Sequence, residues 1–180
     1  VEERTVGPDL GKDSIDAGVF SLIVGFILVI IFMFIKYRIF GLVSNISLIA
    51  NLFMMVGILT ILEATLTLPG IAGIILTVGM AVDSNVLIYE RIKEELKTEK
   101  SIIHAFDTGY NKAKITVIDA NVTTLIAAMI LFIFGSGPVK GFAVTLGIGI
   151  TTTLFSAYFI ARHLTSVIVL NDKKGKYFKL

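Results

Sequence analysis

The stretch Gly70-Ile71-Ala72-Gly73-Ile74-Ile75-Leu76-Thr77-Val78-Gly79-Met80-Ala81-Val82-Asp83-Ser84-Asn85-Val86-Leu87-Ile88 decides the fold, and its only charge is Asp83. A helix rises about 1.5 Å per residue, so a run of this length reaches across a hydrocarbon core about 30 Å thick. Apolar side chains occur on every face of such a helix, which predicts a membrane span rather than the surface helix of a soluble domain. Working outward, four more segments meet the same test: Ala17–Ile35, Leu42–Leu62, Ile115–Phe134 and Val139–Ala161. The connections Lys36–Gly41, Glu63–Pro69 and Gly135–Pro138 are short and carry Gly, Pro or charge, so consecutive spans are expected to run antiparallel. Pro69 and Pro138 suit the first turn of the helix that follows each, where no backbone N–H is needed. The expected fold is an all-α polytopic membrane protein with five spans. Composition agrees, since 55% of the 180 residues are hydrophobic and 17% charged, too little polar surface to cover a soluble core.

The charges give an orientation. If the spans alternate, Lys36, Arg38, Arg91, Lys93, Lys97, Lys100, Lys112, Lys114, Arg162, Lys173, Lys174, Lys176 and Lys179 lie on one side, and Arg4, Lys12 and Lys140 on the other. Thirteen against three is a strong positive-inside signal, which predicts an outside N-terminus and a cytoplasmic C-terminus. The expected organisation is an extracytoplasmic linker over 1–16, a transmembrane bundle over 17–162 with a cytoplasmic loop over 89–114, and a cytoplasmic tail over 163–180. Within the loop, Ile92, Leu96, Ile103, Phe106 and Tyr110 recur at near-helical spacing among charges, which predicts an amphipathic helix or helix pair on the membrane face. The chain opens on Val1-Glu2-Glu3-Arg4 without a start methionine or cleavable leader, the expectation for a piece of a longer polypeptide. A net charge of +2 gives no reason to expect a nucleic-acid partner. Cysteine is absent and His104 and His163 lie far apart, so no metal or cofactor site is expected.

Two carboxylates stand out. Asp83 lies about 20 Å along its span from Gly70, and Asp119 about 7 Å in from Lys114 on the antiparallel neighbour, so both are expected at similar depth from the cytoplasmic side. A charge at mid-membrane costs on the order of 3 kcal/mol, so such residues avoid lipid and commonly line proton or ion paths. Ser84, Asn85, Asn121, Thr123 and Thr124 supply hydroxyls and amides within a turn of each acid, and the whole is a candidate proton relay. The alternative is that both acids only hydrogen-bond between helices. The last span also carries Gly141, Thr145, Gly149, Thr153 and Ala157 at four-residue intervals, and the fourth carries Ala120, Thr124 and Ala128. Such seams let backbones approach closely, either for plain packing or for a sliding contact.

The run from Gly79 through Met80-Ala81-Val82-Asp83-Ser84-Asn85 to Leu96 resembles the signature of the SecD members of the SecD/SecF protein-export family, a branch of the resistance-nodulation-division superfamily. Further matching stretches are Glu2–Pro8, Asp119–Ala128 and Gly137–Leu146. The resemblance covers nearly the whole chain. It implies a bundle of that superfamily's type in the bacterial inner membrane, forming the C-terminal spans of a subunit that uses the proton gradient to promote late preprotein export. It also implies SecF, SecYEG and YajC as partners, a preprotein handled by an outer domain upstream of Val1, and Asp83 as the proton-responsive residue. No enzymatic activity is implied. A proton-driven small-molecule exporter of the same fold and a non-transporting scaffold remain as alternatives. An intramembrane aspartyl protease does not fit, because its Gly-x-Gly-Asp element is replaced by Met80-Ala81-Val82-Asp83 and Thr116-Val117-Ile118-Asp119.

Overall fold

The computed structural model describes residues 8–98 and 101–171. It contains α1 (Pro8–Ile61), α2 (Leu68–Glu95), α3 (Ile102–Phe134), α4 (Pro138–Phe155), a π-helical turn (Ser156–Ala161) and α5 (Arg162–Asn171), the last three following one another without a break. Among the described residues four continuous helices are long and apolar enough to cross a membrane, where five crossing segments are expected from the sequence. The difference lies in α1, whose regular geometry is broken at Arg38 (φ 50°, ψ −113°). The two arms fold back on each other there. Asn45 Nδ2 donates to the Ile30 carbonyl at 3.1 Å, a contact that residues fifteen apart in a straight helix cannot make. A Cβ on Gly41 would collide with the Met33 carbonyl, so the close approach at this hinge requires glycine.

Local chemistry sets the other boundaries. Thr67 caps α2 by accepting from the Gly70 N–H at 3.2 Å, with Pro69 in the first turn. Gly137 adopts φ +45° just before Pro138 opens α4, a conformation that favours glycine.

The central pair is α2 and α4. About half of the most apolar 18-residue stretch is buried in α2 (56%) and in the continuous last helix that α4 opens (50%), against 6% of that stretch in α1 and 17% in α3. Those two stretches face outward to lipid or to other helices, while the arm of α1 after the hinge buries Val43, Leu48, Met55 and Leu59. α1 and α3 each pack on α2 and α4, yet they bring no pair of Cα atoms within 8 Å of each other.

The expected surface loop over 89–114 takes a different form. Residues 89–95 and 102–114 are helical, but as continuations of α2 and α3, leaving only a short connection. Ile92, Phe106 and Tyr110 are buried in the main core rather than laid on the membrane face. The reason is Gly109, where a Cβ would sit 2.7 Å from Ile92 Cα: the two helix ends cross backbone to backbone and close their apolar stripe between them. Lys112 Nζ then clamps the ends together through Glu95 at 2.8 and 3.0 Å. Likewise the last span runs beyond Ala161 into α5, whose Thr165 and Val169 are buried. Of the expected tail, residues 172–180 lie outside the described residues, as do residues 1–7 of the expected linker.

Candidate functional site

The polar residues of α2 and α3 divide into two groups. Met80, Asp83, Ser84 and Leu87 of α2 face Val117, Ala120, Asn121 and Thr124 of α3 across a groove of about 300 Å³. Asp83 is exposed on the surface of this chain, whereas Ser84 and Asn121 beside it are buried. Ser84 donates to the Met80 carbonyl at 2.9 Å and Thr124 to the Ala120 carbonyl at 2.9 Å, so both hydroxyls keep lone pairs for water or a protonated acid in the groove. Asn121 Nδ2 donates to the Val117 carbonyl at 2.8 Å, while its buried Oδ1 has no partner among the described residues.

The remaining candidates sit elsewhere. Asp119 is exposed but does not line the groove. It lies two positions after Val117, about 200° around the helix, so the same phase that turns Val117 and Asn121 toward α2 turns Asp119 away. Thr123 goes with it, its hydroxyl donating to the Asp119 carbonyl at 2.8 Å. Asn85 stands at the same offset from Asp83 and is buried in the bundle, its Oδ1 without a partner among the described residues. The structure therefore brings Asp83 together with Ser84, Asn121 and Thr124, and does not bring Asp119, Thr123 or Asn85 to it.

The groove does not end at Leu87. A second cavity of about 330 Å³ shares Leu87 and continues between Glu90, Arg91 and Glu94 of α2 and Lys112 and Thr116 of α3. Asp83, Leu87, Glu90 and Glu94 thus form one stripe along α2, leading from the carboxylate toward the cation-rich end of the bundle. Tyr37, beside the α1 hinge, donates to Glu90 Oε1 at 3.0 Å and fixes that carboxylate at the edge of the path.

On its other face α2 meets α4 through the small-residue seam. A Cβ on Gly141 would lie 2.6 Å from Thr67 Oγ1, one on Gly73 would collide with Thr145, and one on Gly149 with Thr77. Knob and notch alternate between the two helices. Thr153 is tied to α1, accepting from Asn51 Nδ2 at 3.2 Å. Ala157 lies in the π-helical turn and its carbonyl accepts from the Tyr110 hydroxyl at 2.5 Å, while Ser47 of α1 donates to the adjacent Ser156 carbonyl at 3.1 Å. A π turn changes the backbone ladder locally, and side chains from α1 and α3 supply its carbonyls with added donors. Sequence reading missed Gly73, Thr77, Gly109, Ser47 and Asn51. Their signal was faint but present, as glycines and short polar residues inside otherwise apolar runs.

Comparison with known proteins places this geometry in a family. Residues 1–171 match the model for the protein export membrane protein SecD/SecF, C-terminal. The chain is 52% identical over 173 residues to the protein translocase subunit SecD of Magnetococcus marinus, covering 96% of this chain and 33% of that protein. It is 54% identical over 179 residues to the SecD subunit of Rickettsia prowazekii, covering 99% and 33%. Among solved structures, the crystal structure of SecDF from Thermus thermophilus, described as a translocon-associated membrane protein, superposes with a TM-score of 0.86 at 43% identity, over 90% of this chain and 23% of that one. The chain spans about a third of the length of the curated relatives it matches. It belongs to the SecD/SecF family of protein export membrane proteins and corresponds to the C-terminal transmembrane portion of the SecD subunit.

Proposed function

We propose that this chain is the proton-responsive membrane portion of a SecD subunit, which uses the proton motive force to promote late preprotein translocation on the outer side of the bacterial inner membrane. The observation that carries the reading is the groove holding Asp83, Ser84, Asn121 and Thr124 between α2 and α3. A carboxylate in the apolar half of a span avoids lipid, so this groove is covered by water and a neighbouring helix bundle in the working complex. We assign that neighbour to SecF, with SecYEG and YajC as the wider assembly and the preprotein engaged by the outer domain. The thirteen-to-three distribution of cations supports an outside N-terminus and a cytoplasmic C-terminus.

The energetics suit one carboxylate. A proton falling through 100 mV releases about 2.3 kcal/mol, and one unit of pKa corresponds to about 1.4 kcal/mol, so a shift of about two units between two states of the bundle couples the gradient to motion. Desolvation of a carboxyl raises its affinity for a proton, and hydration or an approaching cation lowers it. Asp119 and Thr123 face away from Asp83 within this chain, so any part they take in the relay passes through groups outside the groove.

The test is Asp83→Asn in the full-length protein, which keeps the size and one acceptor oxygen but cannot exchange a proton. Membrane level and SecF association are expected to match wild type while gradient-dependent export falls to the level without the subunit. Asp119→Asn is expected to act more mildly. Export at the wild-type rate with Asp83→Asn would end the proton reading, and loss of the protein from the membrane would favour a structural scaffold.

A further inference from the structure

At the cation-rich end of the bundle, a cavity of about 470 Å³ opens between α3, the π turn and α5. Its walls carry Asp107 from α3 and Arg162 and His163 from α5. Arg162 lies with its guanidinium over the Tyr110 ring, 5.2 Å from the centroid, and Tyr110 is itself pinned by its hydrogen bond to Ala157. Stacking holds the guanidinium plane but leaves its in-plane N–H donors unused. Asp107 is exposed. Among the described residues neither Arg162 nor Asp107 makes an ion pair, with each other or with any other group. One cavity therefore offers an unmatched cation and an unmatched anion.

We propose that this cavity holds the headgroup of a phosphoethanolamine lipid, with the phosphodiester on Arg162 and the ammonium on Asp107. A free anion satisfies only the arginine, and a quaternary ammonium has no N–H to give the carboxylate. A lipid, rather than a soluble phosphoethanolamine, is favoured by what adjoins the site. Phe155 and Phe159 stack at 4.8 Å and are 47% and 64% exposed, giving an apolar track from the cavity along α4 for an acyl chain. Tyr158, in the cavity wall, donates to the Lys114 carbonyl at 3.2 Å, and aromatic and cationic side chains together mark the headgroup level of a bilayer. The site does not depend on the role given to Asp83.

The experiment uses the full-length protein, delipidated and offered equal amounts of phosphatidylethanolamine, phosphatidylglycerol and phosphatidylcholine with identical acyl chains, with retained lipid counted by native mass spectrometry. Wild type is expected to retain phosphatidylethanolamine about fivefold over the other two, the scale of one charge contact at the membrane surface. Arg162→Gln is expected to remove that preference. Asp107→Asn, a mild change at an exposed position, is expected to reverse it in favour of phosphatidylglycerol, because only the cation remains. Soluble O-phosphoethanolamine at equal concentration is expected to displace nothing. Equal retention of the three lipids by wild type, an initial preference for phosphatidylglycerol, an unchanged ranking in Asp107→Asn, or displacement by the soluble headgroup would each overturn the assignment.

Discussion

α2 presents two unlike faces. Toward α4 it offers Thr67, Gly73 and Thr77, which interlock with Gly141, Thr145 and Gly149 so closely that a single added carbon has no room. Toward α3 it offers Met80, Asp83, Ser84 and Leu87, which border open space. Small residues make the first face a rigid backbone contact, and a charge with short polar neighbours makes the second a gap that water can fill. Under the proposed function, a protonation event on one side of this helix would displace the packed neighbour on the other, because a seam without free room transmits movement.

Loading the seam is the harshest way to break this contrast. Gly149→Leu drives a branched side chain into Thr77 and is expected to cost about 3 kcal/mol or more, seen as a lower unfolding temperature in detergent and poor recovery of assembled protein. Unchanged stability would mean that the helices are not in contact there. The groove is expected to respond in the opposite way. Asn121 spends its amide on the Val117 carbonyl and leaves Oδ1 buried without a partner among the described residues, so Asn121→Leu is expected to change stability by less than about 1 kcal/mol. Gradient-dependent export is nevertheless expected to fall, since the groove loses a polar wall beside Asp83. A large loss of stability would show that Asn121 serves packing rather than the groove.

Much of this was legible in the sequence. The spans follow from apolar length, the carboxylate at Asp83 from its isolation among apolar residues, and the seam from its four-residue period. Helical phase is the point at which depth misleads: Asp83 and Asp119 are expected at similar depth in one relay, but rotation of about 200° from Val117 carries Asp119 off the facing surface. Had the α3 face been set by Val117, Ala120, Asn121 and Thr124, the same arithmetic would have excluded it. The apolar stripe Ile92–Tyr110 suits a membrane face as well as a helix contact, because nothing in its periodicity distinguishes lipid from a neighbouring helix. Gly109, which lets α3 touch Ile92, decides between the two. The hinge at Arg38 falls inside the connection Lys36–Gly41 that charge and glycine mark in the sequence, whereas the π turn after Phe155 has no local sequence signal, since it is held by distant donors such as Ser47 and Tyr110.

The contrast between the two faces of α2 is tested most directly by water access. Because this chain has no cysteine, single thiols can be placed at Thr124, in the groove, and at Thr77, in the seam, with any cysteines elsewhere in the full-length protein removed. A small water-soluble thiol reagent applied to membranes carrying the assembled complex is expected to modify Thr124→Cys and to leave Thr77→Cys unmodified until the protein is denatured. Modification of Thr77→Cys in the native complex, or a Thr124→Cys thiol that stays silent until denaturation, would contradict an open groove at Asp83 backed by a sealed helix contact.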